Sequence, residues 1–209
     1  MKHMKAYFPI IVLLVVVTAD DAFACSCAPE ANPFLKVAPK SVLVIRARVL
    51  RHTGGGEAPR EMEVEVLESL AGETPKSVVT VSGDDGGQCR PYVSRFAVGT
   101  EWILALEPAI TDPEAAHHYF MSEPDKGGYA ISNCGAYWLE VKKGKVRGNI
   151  DIEDYERRYE SQEVPLEELR RRFSAAKKSA HSITPASNNV MHPTANSGNS
   201  IRKTLCFMR

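Results

Sequence analysis

Two neighbouring segments in the first third of the chain alternate between apolar and polar residues. In Ser41–Arg51 the apolar residues predicted to share one face are Leu43, Ile45, Ala47 and Val49. Successive side chains of a β-strand point to opposite faces of the sheet, so this pattern predicts a strand with one buried face. In Glu61–Val66, three apolar residues alternate with glutamates. The glycine-rich turn between the two segments predicts that they form an antiparallel hairpin.

Four more short segments, separated by turn signals, predict further strands. They are residues 77–82, 102–106, 137–141 and 146–150, whereas residues 129–132 lead from a long loop to Cys134. Pro165 then opens the sequence PLEELRRRF, in which apolar residues recur at helical spacing and predict an amphipathic helix packed on the sheet. We therefore predict a mainly β domain of five or six short antiparallel strands, forming a barrel or a sandwich, with a C-terminal helix.

The N-terminus has the features of a secretory signal peptide. Two lysines precede an apolar run over Phe8–Val17, and residues 22–24 form an Ala-x-Ala cleavage site. The run is about half of the ~20 residues that a spanning helix needs, so we expect no membrane span. Cleavage after Ala24 leaves Cys25 as the first residue of a secreted protein, extracellular or periplasmic. A bacterial lipoprotein signal also places a cysteine first, so lipidation of Cys25 stays open.

The chain is predicted to have three parts. Residues 1–24 form the signal peptide, residues 25–178 form the barrel domain with its helix, and residues 179–209 form a disordered tail. The first part of the tail is rich in Ser, Asn and Thr, which bury too little apolar surface to offset the entropy of ordering. We expect the mature protein to be a monomer.

Five cysteines follow the signal peptide. They are Cys25, Cys27, Cys89, Cys134 and Cys206. In an exported protein this number indicates disulfides, with Cys206 of the tail as the odd thiol. A bond between Cys25 and Cys27 would be strained, so each is expected to pair with Cys89 or Cys134, in either order. A thiolate metal site or a redox pair at Cys25-Ser26-Cys27 is the alternative interpretation.

The opening of the mature chain resembles that of a known family. Cys25-Ser26-Cys27-Ala28-Pro29 is similar to the Cys-Thr-Cys-Val-Pro start of tissue inhibitors of metalloproteinases, members of the wider netrin-like family. The strand at Leu43–Ala47 and the two later cysteines extend the resemblance over residues 25 to about 150. It implies a five-stranded barrel of the OB type. The third cysteine pair and the cysteine-rich C-terminal subdomain of the animal inhibitors are missing, so the chain resembles a minimal bacterial member.

The resemblance also implies a function, namely inhibition of a secreted zinc metalloendopeptidase. The α-amino nitrogen and the carbonyl oxygen of Cys25 would chelate the catalytic zinc of that enzyme, and Ser26 would point into its S1′ pocket. The implied contact residues are Ser26, Cys27, Ala28, Pro29, Gln88, Cys89 and Arg90. The target protease stays open. The alternative is a non-inhibitory binding module of adhesion or recognition type, in which Cys25 only forms a structural disulfide.

Other function classes find little support in the sequence. Lys plus Arg and Asp plus Glu both total 26, which argues against a nucleic-acid partner. There is no HExxH, GxSxG or P-loop motif, so we predict no enzymatic activity, no cofactor and no metal of its own. His117-His118 and Asp84-Asp85 are interpreted as loop and turn residues rather than as metal ligands. Trp102 and Trp138 are predicted to be core residues, and Arg170–Arg172 to form the solvated face of the helix.

Overall fold

The protein is described from a computed structural model, which covers residues 32–54, 58–73, 76–84, 88–114, 125 and 128–182. Within these residues the helices are α1 (Phe34–Val37) and α2 (Leu166–Ser182). The strands are β1 (Leu43–Thr53), β2 (Glu61–Ala71), β3 (Val78–Ser82), β4 (Glu101–Pro108), β5 (Tyr129–Ala130), β6 (Trp138–Lys142), β7 (Lys145–Gly148) and β8 (Gln162–Pro165). Short 3-10 turns lie at Ala38–Lys40 and Val93–Arg95. Helix α2 continues to Ser182, beyond the boundary at residue 178 predicted from composition.

Five of the strands close into a barrel. Strand β1 pairs with β2, β2 with β3, β3 with β5, β5 with β4, and β4 returns to β1. This mainly β, OB-like barrel with a C-terminal helix confirms the fold predicted from the sequence. One pair of barrel strands departs from the antiparallel arrangement predicted, since β3 and β5 run parallel, with Val81 opposite Tyr129. A closed ring with an odd number of strands cannot alternate in direction all the way round, so one parallel pair is unavoidable.

The sheet also extends beyond the barrel. Strands β5 and β6 share one edge of β4, since β5 pairs with Glu107 and Pro108 while β6 pairs with Glu101–Leu104. Strands β7 and β8 then continue the sheet from β6. Strand β8 was not expected from the sequence: Pro165, predicted to begin the helix, ends β8, and α2 begins at Leu166.

Apolar side chains form two cores on opposite sides of β1. The predicted face of β1 fills the barrel together with residues such as Met62, Val64 and Leu104. Trp102 and Trp138 are partly buried against this interior, where each packs edge-on to the ring of Phe96. The second core lies between the outer sheet and α2, and its buried residues include Val44, Ile103, Leu139, Leu169 and Phe173. Val44 lies on the opposite face of β1 from Leu43, yet it is completely buried in this second core.

An ion pair, as well as apolar packing, joins helix α2 to the barrel. Arg170 Nε donates to Glu68 Oε1 of β2 at 2.9 Å, and Arg170 Nη2 makes a second contact with the same carboxylate. Arg170 is therefore an inter-element contact rather than only a solvated residue, whereas Arg171 is largely exposed. Within the described part of the chain, no helix has the length and apolar character needed to cross a membrane.

Candidate functional site

The structure covers only part of the predicted site. Cys25, Ser26, Cys27, Ala28 and Pro29 lie outside the described residues, as do Asp85, His117, His118 and Cys206. The described site residues are Gln88, Cys89 and Arg90, together with Cys134. The geometry therefore bears on the surroundings of Cys89 and Cys134 and on the first described residue, Asn32.

The described chain begins in close contact with the segment that carries Cys134. The carbonyl of Asn32 accepts a hydrogen bond from the amide of Ala136 at 2.8 Å. Gly135, with φ of +151°, lies so near that a Cβ there would be 3.0 Å from both Cβ and the carbonyl oxygen of Asn32. On the other side, the amide of Phe34 donates to the carbonyl of Asn149 at 3.0 Å. The chain entering α1 is thus held between two loops.

Cys89 and Cys134 belong to adjacent segments. The amide of Asn133 donates to the carbonyl of Cys89 at 2.9 Å, and the amide of Cys134 donates to Ser132 Oγ at 3.2 Å. The predicted pairing with Cys25 and Cys27 stays a prediction, because those two residues lie outside the described ranges.

Three parts of the chain therefore meet at one place, which we call the Cys89 edge. It comprises Asn32, the described residues of the Cys89 loop (83–84 and 88–91), and residues 132–136.

The loop that carries Cys89 is closed at its base by backbone hydrogen bonds. The amide of Gly83 donates to the carbonyl of Arg60 at 2.8 Å, and the amide of Asp84 donates to the carbonyl of Pro91 at 3.0 Å. The carboxylate of Asp84 accepts the amide of Gln88 at 3.2 Å, in keeping with its interpretation as a turn residue. Position 83 has room only for glycine, since a Cβ there would lie 2.6 Å from the carbonyl oxygen of Pro91.

A buried ion pair fixes the far side of the same loop. Arg90 Nη1 and Nη2 donate to the two carboxylate oxygens of Asp125 at 2.7 and 2.9 Å, and only 8% and 6% of the two side chains are exposed. Asp125 is held in turn by Ile110, whose amide donates to Oδ2 at 2.6 Å and whose carbonyl accepts the Asp125 amide at 2.7 Å. Asp125 stands in a loop with no sequence pattern to distinguish it, so its role could not be predicted from the sequence. The guanidinium of Arg90 is engaged within the fold, and its contact with a protease stays a prediction.

A small polar cavity lies beside the Cys89 edge. Its volume is about 160 Å³, and it is lined by Asn32, Lys36, Val37, Lys40, Ser41, Glu107 and Tyr137. Burial raises the pKa of Tyr137 well above its usual range, and the neighbouring carboxylate of Glu107 raises it further, so the phenol stays protonated. The phenol also hydrogen-bonds to Ser132, which links the cavity to the Cys134 segment. Tyr137, Glu107 and Ser132 therefore form a hydrogen-bonded cluster at this cavity.

Metal binding by the described residues finds no support. Among them, no group of three or more His, Cys, Asp and Glu side chains is arranged to hold a metal ion.

In comparisons with known proteins, no family model matches this sequence and no curated protein matches it. The fold and the Cys89 edge are therefore the basis for any functional conclusion.

Proposed function

We propose that this protein is a secreted inhibitor of zinc metalloendopeptidases that chelates the catalytic zinc of the enzyme through Cys25. The observation that carries the proposal is the meeting of the Asn32, Cys89 and Cys134 segments at one edge of an OB-like barrel. This arrangement supports a mature N-terminus that is fastened beside the Cys89 loop. A start of the form Cys-x-Cys is useful for inhibition only if the barrel presents it in one conformation.

The chemistry of a free N-terminal residue suits zinc chelation. An α-amino group has a pKa of about 7.7–8.0, so a substantial fraction is a neutral amine near neutral pH. The amino nitrogen and the carbonyl oxygen of Cys25 can close a five-membered ring on a metal ion. A catalytic zinc keeps one position open for the water that attacks the substrate. Occupying that position with Cys25 would remove the nucleophile, so inhibition needs no reaction on this chain.

Preorganisation decides whether such a contact is strong. Ordering a loose peptide on binding costs about 1–2 kcal/mol for each residue fixed. The hydrogen bond from Ala136 to Asn32 and the close approach of Gly135 fix the chain just after the proposed inhibitory segment. Disulfides from Cys25 and Cys27 to the Cys89 edge would order the remaining residues of this segment before the enzyme binds. Ser26 could then enter the S1′ pocket without a further loss of conformational entropy.

Export of the full precursor, followed by intact mass, N-terminal sequencing and inhibition assays, tests the proposal. We expect an unblocked Cys25 and stoichiometric inhibition of at least one enzyme in a panel of secreted HExxH zinc endopeptidases assayed with fluorogenic peptides. A serine protease serves as the control and should not be inhibited. The inhibition constant should rise as the pH falls below the amine pKa, because a protonated amine cannot bind zinc.

Two results would overturn the proposal. One is a free, correctly cleaved Cys25 with no inhibition of any zinc endopeptidase in the panel. The other is a blocked or lipidated N-terminus on the exported protein. Either result would leave a non-inhibitory, disulfide-stapled binding module as the better account of the fold.

A further inference from the structure

We propose that Arg90 and Asp125 are positioning residues, whose buried ion pair holds the Cys89 loop in the shape that the inhibitory surface requires. The inference deepens the proposed function and rests on it. It gives a role to Asp125, for which the sequence suggested none.

The geometry of the Arg90–Asp125 pair restricts both side chains more than an exposed ion pair would. Two parallel hydrogen bonds of 2.7 and 2.9 Å join the guanidinium of Arg90 to the carboxylate of Asp125. Such bidentate pairs restrict orientation as well as distance. Both side chains are more than nine-tenths buried, so solvent screens the attraction little. Ile110 binds the backbone amide and one carboxylate oxygen of Asp125, which keeps the acceptor itself from moving.

The pair acts on the residue next to it. The carbonyl of Cys89 accepts the amide of Asn133, and this bond joins the Cys89 loop to the segment that leads into Cys134. A buried arginine that loses its carboxylate is left with an uncompensated charge, which favours its movement toward water. Movement of Arg90 would pull Cys89 with it and loosen the bond to Asn133. The ion pair therefore controls the relative position of the two described cysteine segments.

A second ion pair in the same molecule provides a matched control. Arg170 and Glu68 are also joined in a bidentate arrangement across two elements, α2 and β2. Neither of these residues belongs to the Cys89 edge. Breaking this pair removes a bidentate contact of the same type, although a more exposed one, with 29% of each side chain exposed, and leaves the proposed inhibitory surface undisturbed.

The experiment compares Asp125→Asn with Glu68→Gln on the exported, disulfide-bonded protein. The readout is the dissociation rate of the complex with a secreted HExxH zinc endopeptidase that the wild type inhibits. We expect Asp125→Asn to raise this rate about tenfold, because the loop is no longer preorganised. Glu68→Gln should change it less than about twofold, and Asp125→Glu should recover part of the loss.

Hydrogen exchange at the Asn133 amide supplies a readout that does not depend on inhibition. We expect faster exchange of this amide in Asp125→Asn and wild-type exchange in Glu68→Gln. If the wild type inhibits and Asp125→Asn dissociates no faster than Glu68→Gln, the positioning role is wrong while the proposed function stands. If the wild type inhibits nothing, the proposed function fails. Independently of inhibition, an Asn133 amide that exchanges no faster in Asp125→Asn than in the wild type would overturn the positioning role. Should Asp125→Asn fail to fold, the same two measurements on Asp125→Glu decide between these outcomes.

Discussion

The barrel interior and the Cys89 edge are held together by different forces. The interior consists of apolar side chains from every barrel strand, most of them completely buried. The edge depends on a few directed contacts, including the Arg90–Asp125 pair, the Asn133–Cys89 hydrogen bond and the close packing at Gly83. Hydrophobic burial has no preferred direction and adds over many residues, whereas each polar contact fixes one geometry. Stability should therefore reside in the interior, and the shape of the proposed binding surface in the edge.

The largest loss of stability is expected from truncation inside the barrel. Leu104 is completely buried on β4, opposite Ile45 of β1. Leu104→Ala should lower the free energy of unfolding by about 3 kcal/mol, since it removes apolar contacts and leaves a cavity. Urea unfolding followed by fluorescence measures the change. Leu104→Met should cost less than about 1.5 kcal/mol, and a loss below about 1 kcal/mol for the alanine variant would show that the barrel interior is not the stabilising core.

An intermediate effect is expected from filling the space at the base of the Cys89 loop. In Gly83→Ala the new Cβ would meet the carbonyl oxygen of Pro91 and the side chain of Val93, each at 2.6 Å. The backbone must shift, which should cost about 1–3 kcal/mol and expose the loop to limited proteolysis. Gly128→Ala is the matched control, because a Cβ there would meet no atom within 4 Å. Equal stability and equal protease resistance in the two variants would contradict close packing at Gly83.

The smallest effect concerns an ion cluster on the outer surface of the barrel. Hydrogen bonds from Arg48 and then Arg46 hold the pKa of Glu101 below its usual range. A carboxylate with a lowered pKa in the folded state adds stability above its unfolded pKa of about 4.5, and this contribution is lost as the pH falls toward the folded value. Glu101→Gln should therefore cost about 1 kcal/mol near neutral pH and nothing in strong acid.

The control for Glu101 is Glu163, whose contact with Lys145 is exposed. Lys145 also lowers the pKa of Glu163, but Glu163→Gln should change the free energy of unfolding much less than Glu101→Gln at any pH, because solvent screens the exposed pair. Urea unfolding at a series of pH values compares the two variants. If the stability difference between Glu101→Gln and the wild type did not shrink as the pH falls, the sign of the proposed linkage would be wrong.

The same contrast explains which features could be predicted from the sequence. The buried face of β1 and the helix with Leu169 and Phe173 were predicted correctly, because apolar periodicity reports burial directly. The parallel pairing of β3 with β5 was not predicted, because it follows from closure of the five-stranded ring and not from the sequence of either strand. Strand β8 was missed because its four residues are too few to show a period.

The polar contacts of the edge were the least predictable feature. Asp125 lies 35 positions after Arg90, and nothing in either local sequence signals that they meet. Gly83 stands in a glycine-rich loop and could be predicted only as a turn residue, although atoms of Pro91 and Val93 leave no room for a Cβ there. Directed contacts between distant segments arise from the three-dimensional fold, so they have no sequence period to detect. By contrast, the cysteines that the sequence singled out, Cys89 and Cys134, do lie on adjacent segments.

The most direct test of the central claim is to lengthen the mature chain by one alanine before Cys25, with the processed mass confirming the extension. The extra residue moves the α-amino group away from the Cys25 carbonyl and destroys the five-membered chelate, while the barrel and its cysteines are unchanged. An alanine added after Arg209 serves as the matched control. We predict that the N-terminal extension abolishes inhibition of zinc endopeptidases and that the C-terminal extension has no effect. Undiminished inhibition by the N-terminally extended protein would contradict zinc chelation through Cys25.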